Sequence, residues 1–181
     1  MSKPTVIEHR AEIRALLQEA TAAQFTDAQI DQALAHALDV LSGYVTCMEK
    51  ISLSGLTATQ TVLDLSAEAC AGAVLEVIPA GGAARCEFRP RGGELILLSP
   101  LGTSSADVVF RSRFKHDGTS VDHYPPHLRG GVCLYAAGVL ILGHARALAE
   151  TDASKTVALT TLGNTFFDAA LTIFGARTTQ R

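Results

Sequence analysis

Two histidines come closest to a catalytic or metal-binding pattern in this chain. His123 and His127 have the H-x3-H spacing that, on one helix, aims both rings at one metal ion. Pro125 and Pro126 lie between them, and a proline pair cannot sit inside a continuous helix. The expectation is therefore a loop histidine followed by a helix-start histidine. Cys133 is the one thiol near them in sequence. It sits in an apolar helix, which raises a thiol's pKa and makes it a poor nucleophile. His144 reads as a core or interface histidine, and His9 and His36 read as helix-surface residues.

Other chemistries find less support. There is no G-x-S-x-G elbow, and Ser54, Ser99 and Ser104 lie in turn-like contexts where serine is routine. The four cysteines, Cys47, Cys70, Cys86 and Cys133, form no CxxC pair, so free thiols rather than a zinc site are expected. The glycine pairs Gly81-Gly82, Gly92-Gly93 and Gly130-Gly131 lack phosphate-loop or dinucleotide spacing. The sequence thus predicts no catalytic, cofactor or metal site and a non-enzymatic protein. The alternative is a small α+β ligand- or metal-binding module, or enzyme, built on the His123/His127 loop.

Basic residues form two runs, Arg85, Arg89 and Arg91, then Arg111, Arg113 and Lys115. On neighbouring strands they would make a basic patch, with Arg111 and Arg113 on one face. The alternative is a solvated outer face. A formal net charge of -3 argues against general electrostatic binding of nucleic acid.

The elements that must carry these residues follow from periodicity. With 181 residues, one domain spanning 1–181 is the default. A chain of this size buries roughly 70% of its surface, enough for a real core. Its 18% of charged residues is below the usual ~25%, as in chains that bury surface against copies of themselves or in Ala-rich monomers.

Residues 6–44 read as two helices. Val6 to Ala20 places Ile13, Leu16, Leu17 and Ala20 on one face. Thr26 and Gln29 then have capping-box spacing, and Ile30, Ala33, Leu34, Ala37, Leu38 and Leu41 keep a helical period as far as a stop at Gly43. Residues 47–115 change character. Short alternating runs at 61–65, 73–78, 85–89, 94–98 and 106–114 are separated by Gly and Pro turns, which predicts antiparallel strands in a small sheet or barrel.

Residues 125–175 return to helix. Pro125-Pro126 starts a long one, and Val132 to Leu142 is apolar on nearly every face, which predicts cover on both sides. One cover is expected to be a neighbouring subunit. Gly130, Gly131, Tyr135, Val139 and Leu142 are then the interface candidates, with the glycines admitting a close backbone. A last amphipathic helix runs from Lys155 to Phe174, and 176–181 is a polar tail. The fold class is α+β, with helices at both ends and an inserted antiparallel β-block. The run Gly130 to Ala145 is short and Gly-rich for a membrane span, and Met-Ser-Lys-Pro at the start has no apolar stretch of the signal-peptide kind. Neither a membrane nor secretion is expected.

Several local sequences, in this order, resemble tailed-bacteriophage head–tail connector (adaptor or neck) proteins. The run FTDAQIDQALAHALD, Phe25 to Asp39, resembles their "aromatic-Thr-Asp" helix start. Gly93 to Leu97 (GELIL) and Asp107 to His116 (DVVFRSRFKH) resemble their strand pair, basic-aromatic strand and His-containing loop. Tyr124 to Gly138 (YPPHLRGGVCLYAAG) resembles the proline-started, Ala/Gly-rich helix that follows. The order of elements matches over roughly residues 5 to 175.

The resemblance implies a virion protein at the head–tail junction, assembled in the bacterial host cytoplasm. It implies a homo-oligomeric ring, often a dodecamer, that joins the portal protein to the next neck or tail protein and continues the channel through which DNA passes as cargo. It further implies docking of the C-terminal segment onto the portal, with Leu159, Phe166, Phe167, Ile173, Phe174 and Arg181 as candidates. The β-block would serve as ring wall or as a platform for the next component.

Overall fold

The computed structural model describes residues 5–18, 24–65, 73–81, 85–122 and 124–175. The chain is α+β, with two helices at each end and two small antiparallel sheets between them. It divides into two compact units. One comprises Met1–Val45 and Arg113–Arg181, the other Thr46–Ser112.

The helical unit opens with α1 (Val6–Leu16). Thr5 and Glu8 form a reciprocal capping box at its start. The helix stops at Leu16, because Gln18 turns left-handed at φ 55°, and Ala20 lies outside the described residues. The helix α2 (Asp27–Tyr44) begins on the expected box: Gln29 N–H donates to Thr26 Oγ1, and Thr26 N–H donates to Gln29 Oε1 at 2.8 Å. All six residues of its apolar stripe are buried. It does not stop on Gly43, which keeps a helical φ. It ends at Tyr44, where Val45 becomes extended and leads into the first strand.

Pro125 precedes a single 3-10 turn, Pro126–Leu128, and then α3 (Arg129–Leu148). The last helix, α4, runs Ala153–Gly175. Asp152 caps it by accepting the Lys155 N–H at 3.0 Å. In this unit Val6, Ile13, Ile30, Leu34, Leu38, Leu41, Val132, Ala136 and Phe174 are at most 2% exposed. Each such aliphatic or aromatic side chain contributes about 1.5–3 kcal/mol by leaving water.

The β unit holds β1 (Cys47–Ser54), β2 (Val62–Asp64), β3 (Val74–Pro79), β4 (Phe88–Arg91), β5 (Glu94–Leu97) and β6 (Ser105–Ser112). One sheet has the order β1-β6-β3, the other β2-β5-β4, all antiparallel. Strand β6 is central, and its Ala106, Val108 and Phe110 point inward in strict alternation. They join Leu63, Leu65, Val77, Leu95, Leu97 and Leu101 in one core fed by both sheets.

Two expectations change here. Strand β1 is an addition. Its inner face, Cys47, Glu49, Ile51 and Leu53, is interrupted by a carboxylate that blurs the alternation, and Ser112 Oγ–H satisfies that carboxylate at 2.7 Å. The block also closes at Ser112, not 115. Arg113 pairs with Asp39, and Phe114 N–H donates to Ser42 Oγ at 2.8 Å, so residues 113–115 belong with α2.

Candidate functional site

The candidate basic patch does not assemble. Strands β4 and β6 lie in different sheets, so the two arginine runs are not on neighbouring strands. The reason is that strand order is set by long-range pairing, β1 and β3 onto β6, rather than by sequence adjacency. Arg111 is exposed on β6, while Arg113 lies in the other unit and pairs with Asp39. Arg85 pairs with Glu76 at 2.9 Å.

The histidine loop gives little. His127 is exposed on the 3-10 turn, and His123 lies outside the described residues. Cys133 is fully buried, and burial pushes its thiol up to about 12. It stays protonated at neutral pH and is inert as a nucleophile. Among the described residues no three His, Cys, Asp or Glu side chains are grouped to hold a metal ion.

His9 departs from expectation. It is 0% exposed rather than a surface residue, and its Nε2 lies 2.5 Å from Tyr124 Oη. The flanking Glu8 and Arg10 made its position look polar. Its burial is imposed by a tyrosine far along the chain. His36 is exposed, with its ring edge toward Tyr135, and half-buried His144 packs edge-on to Phe25 at 6.1 Å. Between α2 and α3 a half-open hollow of about 640 Å³ is lined by Gln29, Gln32, His36, Val139 and Gly143 among others. Among the described residues no Asp, Glu, Lys or Arg lines it.

The interface candidates fall on the α3–α4 hairpin. Helix α3 is covered by the chain's own α1, α2 and α4. Much of its apolar circumference is therefore covered within the chain, with Leu134, Tyr135, Val139 and Leu142 half-buried. Gly131 lies under the Phe174 ring, and a Cβ there would sit 2.7 Å from Phe174 Cε1. Tyr135 is half-buried with its ring 4.6 Å from Phe167 and 6.5 Å from Phe174. Leu142 lies over Gly163. Val139 is half-buried beside the hollow, and Gly130 has open space where a Cβ would go. The close approach that glycines allow is thus used at Gly131 by the chain's own α4 and is unused at Gly130.

The docking candidates divide in the same way. Phe174 is 2% exposed and packs inside the unit, while Phe167 is half-buried with its ring tilted against Tyr135. Leu159, Phe166 and Ile173 are half-buried, and Arg181 lies outside the described residues.

The surface that the sequence did not single out is the other side of α4. Of its 23 residues only Gly163, Ala170 and Phe174 are buried. Val157 is 67% and Leu162 43% exposed. Between Lys155 and Asp168 it has no charged residue. Val157, Thr161, Thr165, Asp168 and Thr172 follow one another at helical spacing along the outer face. Thr161 Oγ1–H donates to the Val157 carbonyl, Thr165 to Thr161, and Thr172 to Asp168, at 2.7–3.0 Å. Their hydroxyl protons are spent on the helix's own backbone, so these threonines need less from water and present their methyl groups.

Both Pro126–Leu148 and Ala153–Gly175 are long and apolar enough to cross a membrane by length and composition. The first is half buried within the protein, as a core helix is, whereas 17% of the second is. The outer face of α4 is a low-charge helical surface left open among the described residues. No protein-family model matches the chain, and no curated protein matches it significantly.

Proposed function

We propose that this chain is a structural, non-enzymatic subunit that acts by burying surface against its neighbours, in the manner of the head–tail connectors its sequence resembles. It would stand as a ring at the junction of phage head and tail, between the portal protein and the next neck or tail protein.

The observation that carries this reading is the outer face of α4. A helix of 23 residues is about 35 Å long, and one this exposed with no charge over the three turns between Lys155 and Asp168 is built for a dehydrated contact. A stable contact needs about 800 Å² from each partner with an apolar centre. Val157, Thr161 and Leu162 supply that centre, with Lys155 and Asp168 at the ends. Repeating one head-to-tail contact until it closes makes a ring. A net charge of -3 fits DNA as passing cargo rather than as a tightly held ligand.

The test is absolute mass by light scattering, with the protein alone and then mixed with the portal protein of the same particle. A closed oligomer, or a stable complex with the portal, is expected. A strict monomer that ignores the portal would overturn the proposal.

A further inference from the structure

The most unusual buried group in the helical unit is His9. Its Nδ1 lies 2.8 Å from the Thr5 carbonyl, which can only accept, so Nδ1 carries a proton. In the neutral ring Nε2 is then an acceptor, and Tyr124 Oη–H donates to it at 2.5 Å. Neutral His9 is therefore fully satisfied while 0% exposed. The contact joins α1 to the segment that opens the C-terminal helices. It is reinforced one turn earlier, where Val6 N–H donates to the Thr119 carbonyl at 3.0 Å and Thr5 bridges to Ser120.

We propose that His9 is an acid-sensitive clasp: its protonation releases α1 from Tyr124 and α3 while α2, α3 and α4 stay folded. A proton on Nε2 turns the acceptor into a second donor. Tyr124 Oη can then accept the new Nε2–H, but its own O–H loses the acceptor it had and must turn to another. The new imidazolium is also buried.

The groups facing it are Glu8 and Glu12 on α1, Arg129 and Cys133 on α3, and Tyr124 itself. Glu8 and Glu12 favour the charge and Arg129 opposes it. Burial is the largest influence and holds His9 below the ordinary histidine value. Between about pH 6.5 and that lower value, the released form takes up a proton and the clasped form does not. Attachment is thus complete above pH 6.5 and weakens as pH falls.

Helix α1 is short, although the pairs of Arg10 with Asp27 and Asp31 and of Arg14 with Asp27 also tie it to α2. It has 11 residues, too few for independent stability, so release and unwinding are one event. Its departure uncovers Val6, Ile13 and the Cys133 thiol beneath it. The device is independent of what α4 docks against.

Hydrogen exchange of the intact chain, read by mass spectrometry at pH 7.5 and 5.5 and corrected for intrinsic rates, tests it. Protection of the α1 peptide should be lower at pH 5.5 than at 7.5, by up to about tenfold, with α2 unchanged. In His9→Gln that pH dependence should vanish. Unchanged α1 protection in the wild type, or an equal dependence in His9→Gln, overturns the clasp. If His9→Gln does not fold, NMR titration of the wild-type imidazoles decides instead. His9 should titrate below 6.5 together with loss of the α1 amide signals. Titration at or above 6.5, or without change in α1, overturns it.

Discussion

Gly138 on α3 and Gly163 on α4 meet backbone to backbone. A Cβ on Gly138 would lie 3.2 Å from the Gly163 carbonyl oxygen and 2.9 Å from the Phe167 ring. A Cβ on Gly163 would lie 3.4 Å from the Gly138 carbonyl and 2.8 Å from Leu142. Alanine favours a helix over glycine by about 1 kcal/mol, but overpacking costs about 1–3 kcal/mol. Phe167 is held by Tyr135 and cannot swing away freely. Gly138→Ala should therefore lower stability by about 1 kcal/mol net. Gly143→Ala, in the same helix with nothing within 4 Å of its added Cβ, should raise stability by about 0.5–1 kcal/mol. Urea melts of the two variants check the opposite signs.

The outer face of α4 makes the assembly proposal specific. Val157→Lys combined with Thr161→Lys adds two cations to an exposed strip and removes no buried contact. Thermal stability should change little, since exposed substitutions usually stay within about 0.5 kcal/mol each. Association, with itself or with the portal, should be abolished. Phe174→Ala is the contrasting variant. It removes a ring that is 2% exposed and should cost about 3–5 kcal/mol. Scattering and thermal melts, run side by side, separate loss of contact from loss of fold.

Local signals carried most of this architecture. Thr26 and Gln29 mark their helix start because a capping box lies within four residues. The alternation of Ala106, Val108 and Phe110 marks β6 because side-chain direction depends only on the strand itself. What failed depended on distant partners. The inner face of β1 contains Glu49, whose carboxylate accepts the Ser112 hydroxyl from the neighbouring strand. Strand order could not be read either, since β6 pairs with β1 and β3 rather than with its sequence neighbours. His9 reads as polar surface until Tyr124 is seen above it. An apolar circumference on α3 predicts burial but not by what, and here the chain covers much of it itself. On α4 the conspicuous aromatics were the expected docking residues, of which Phe174 is buried, while the open face is made of threonines whose hydroxyl bonds a sequence does not display.

The capping box of α2 gives a clean stability test. Thr26→Ala removes the acceptor for the Gln29 N–H and one half of the reciprocal pair. The expected loss is about 1 kcal/mol, within a range of about 0.5–2 kcal/mol. Thr26→Ser keeps the hydroxyl and should restore most of it. Denaturant melts of both variants test whether the hydroxyl or the methyl matters.

Asp117 governs the loop that meets α1. Its carboxylate accepts the Thr119 N–H at 2.8 Å, the Ser120 N–H at 2.7 Å and the Ser120 hydroxyl at 2.9 Å. These bonds, led by the Ser120 N–H, hold its pKa down to about 2. A depressed carboxylate stabilises the fold above its unfolded value near 3.9, and the contribution disappears as pH falls through the folded value. The loop should therefore keep its geometry to about pH 3 and lose it near pH 2. At pH 7.5, where α1 is attached, Asp117→Asn should weaken the Val6 N–H bond to Thr119, because the amide cannot accept all three bonds as strongly. Exchange of the Val6 amide, measured by NMR with the Asp117 carboxyl shift, is the readout. Equal Val6 protection in the wild type and Asp117→Asn would show that the loop is held by its backbone pairing with Thr5 instead.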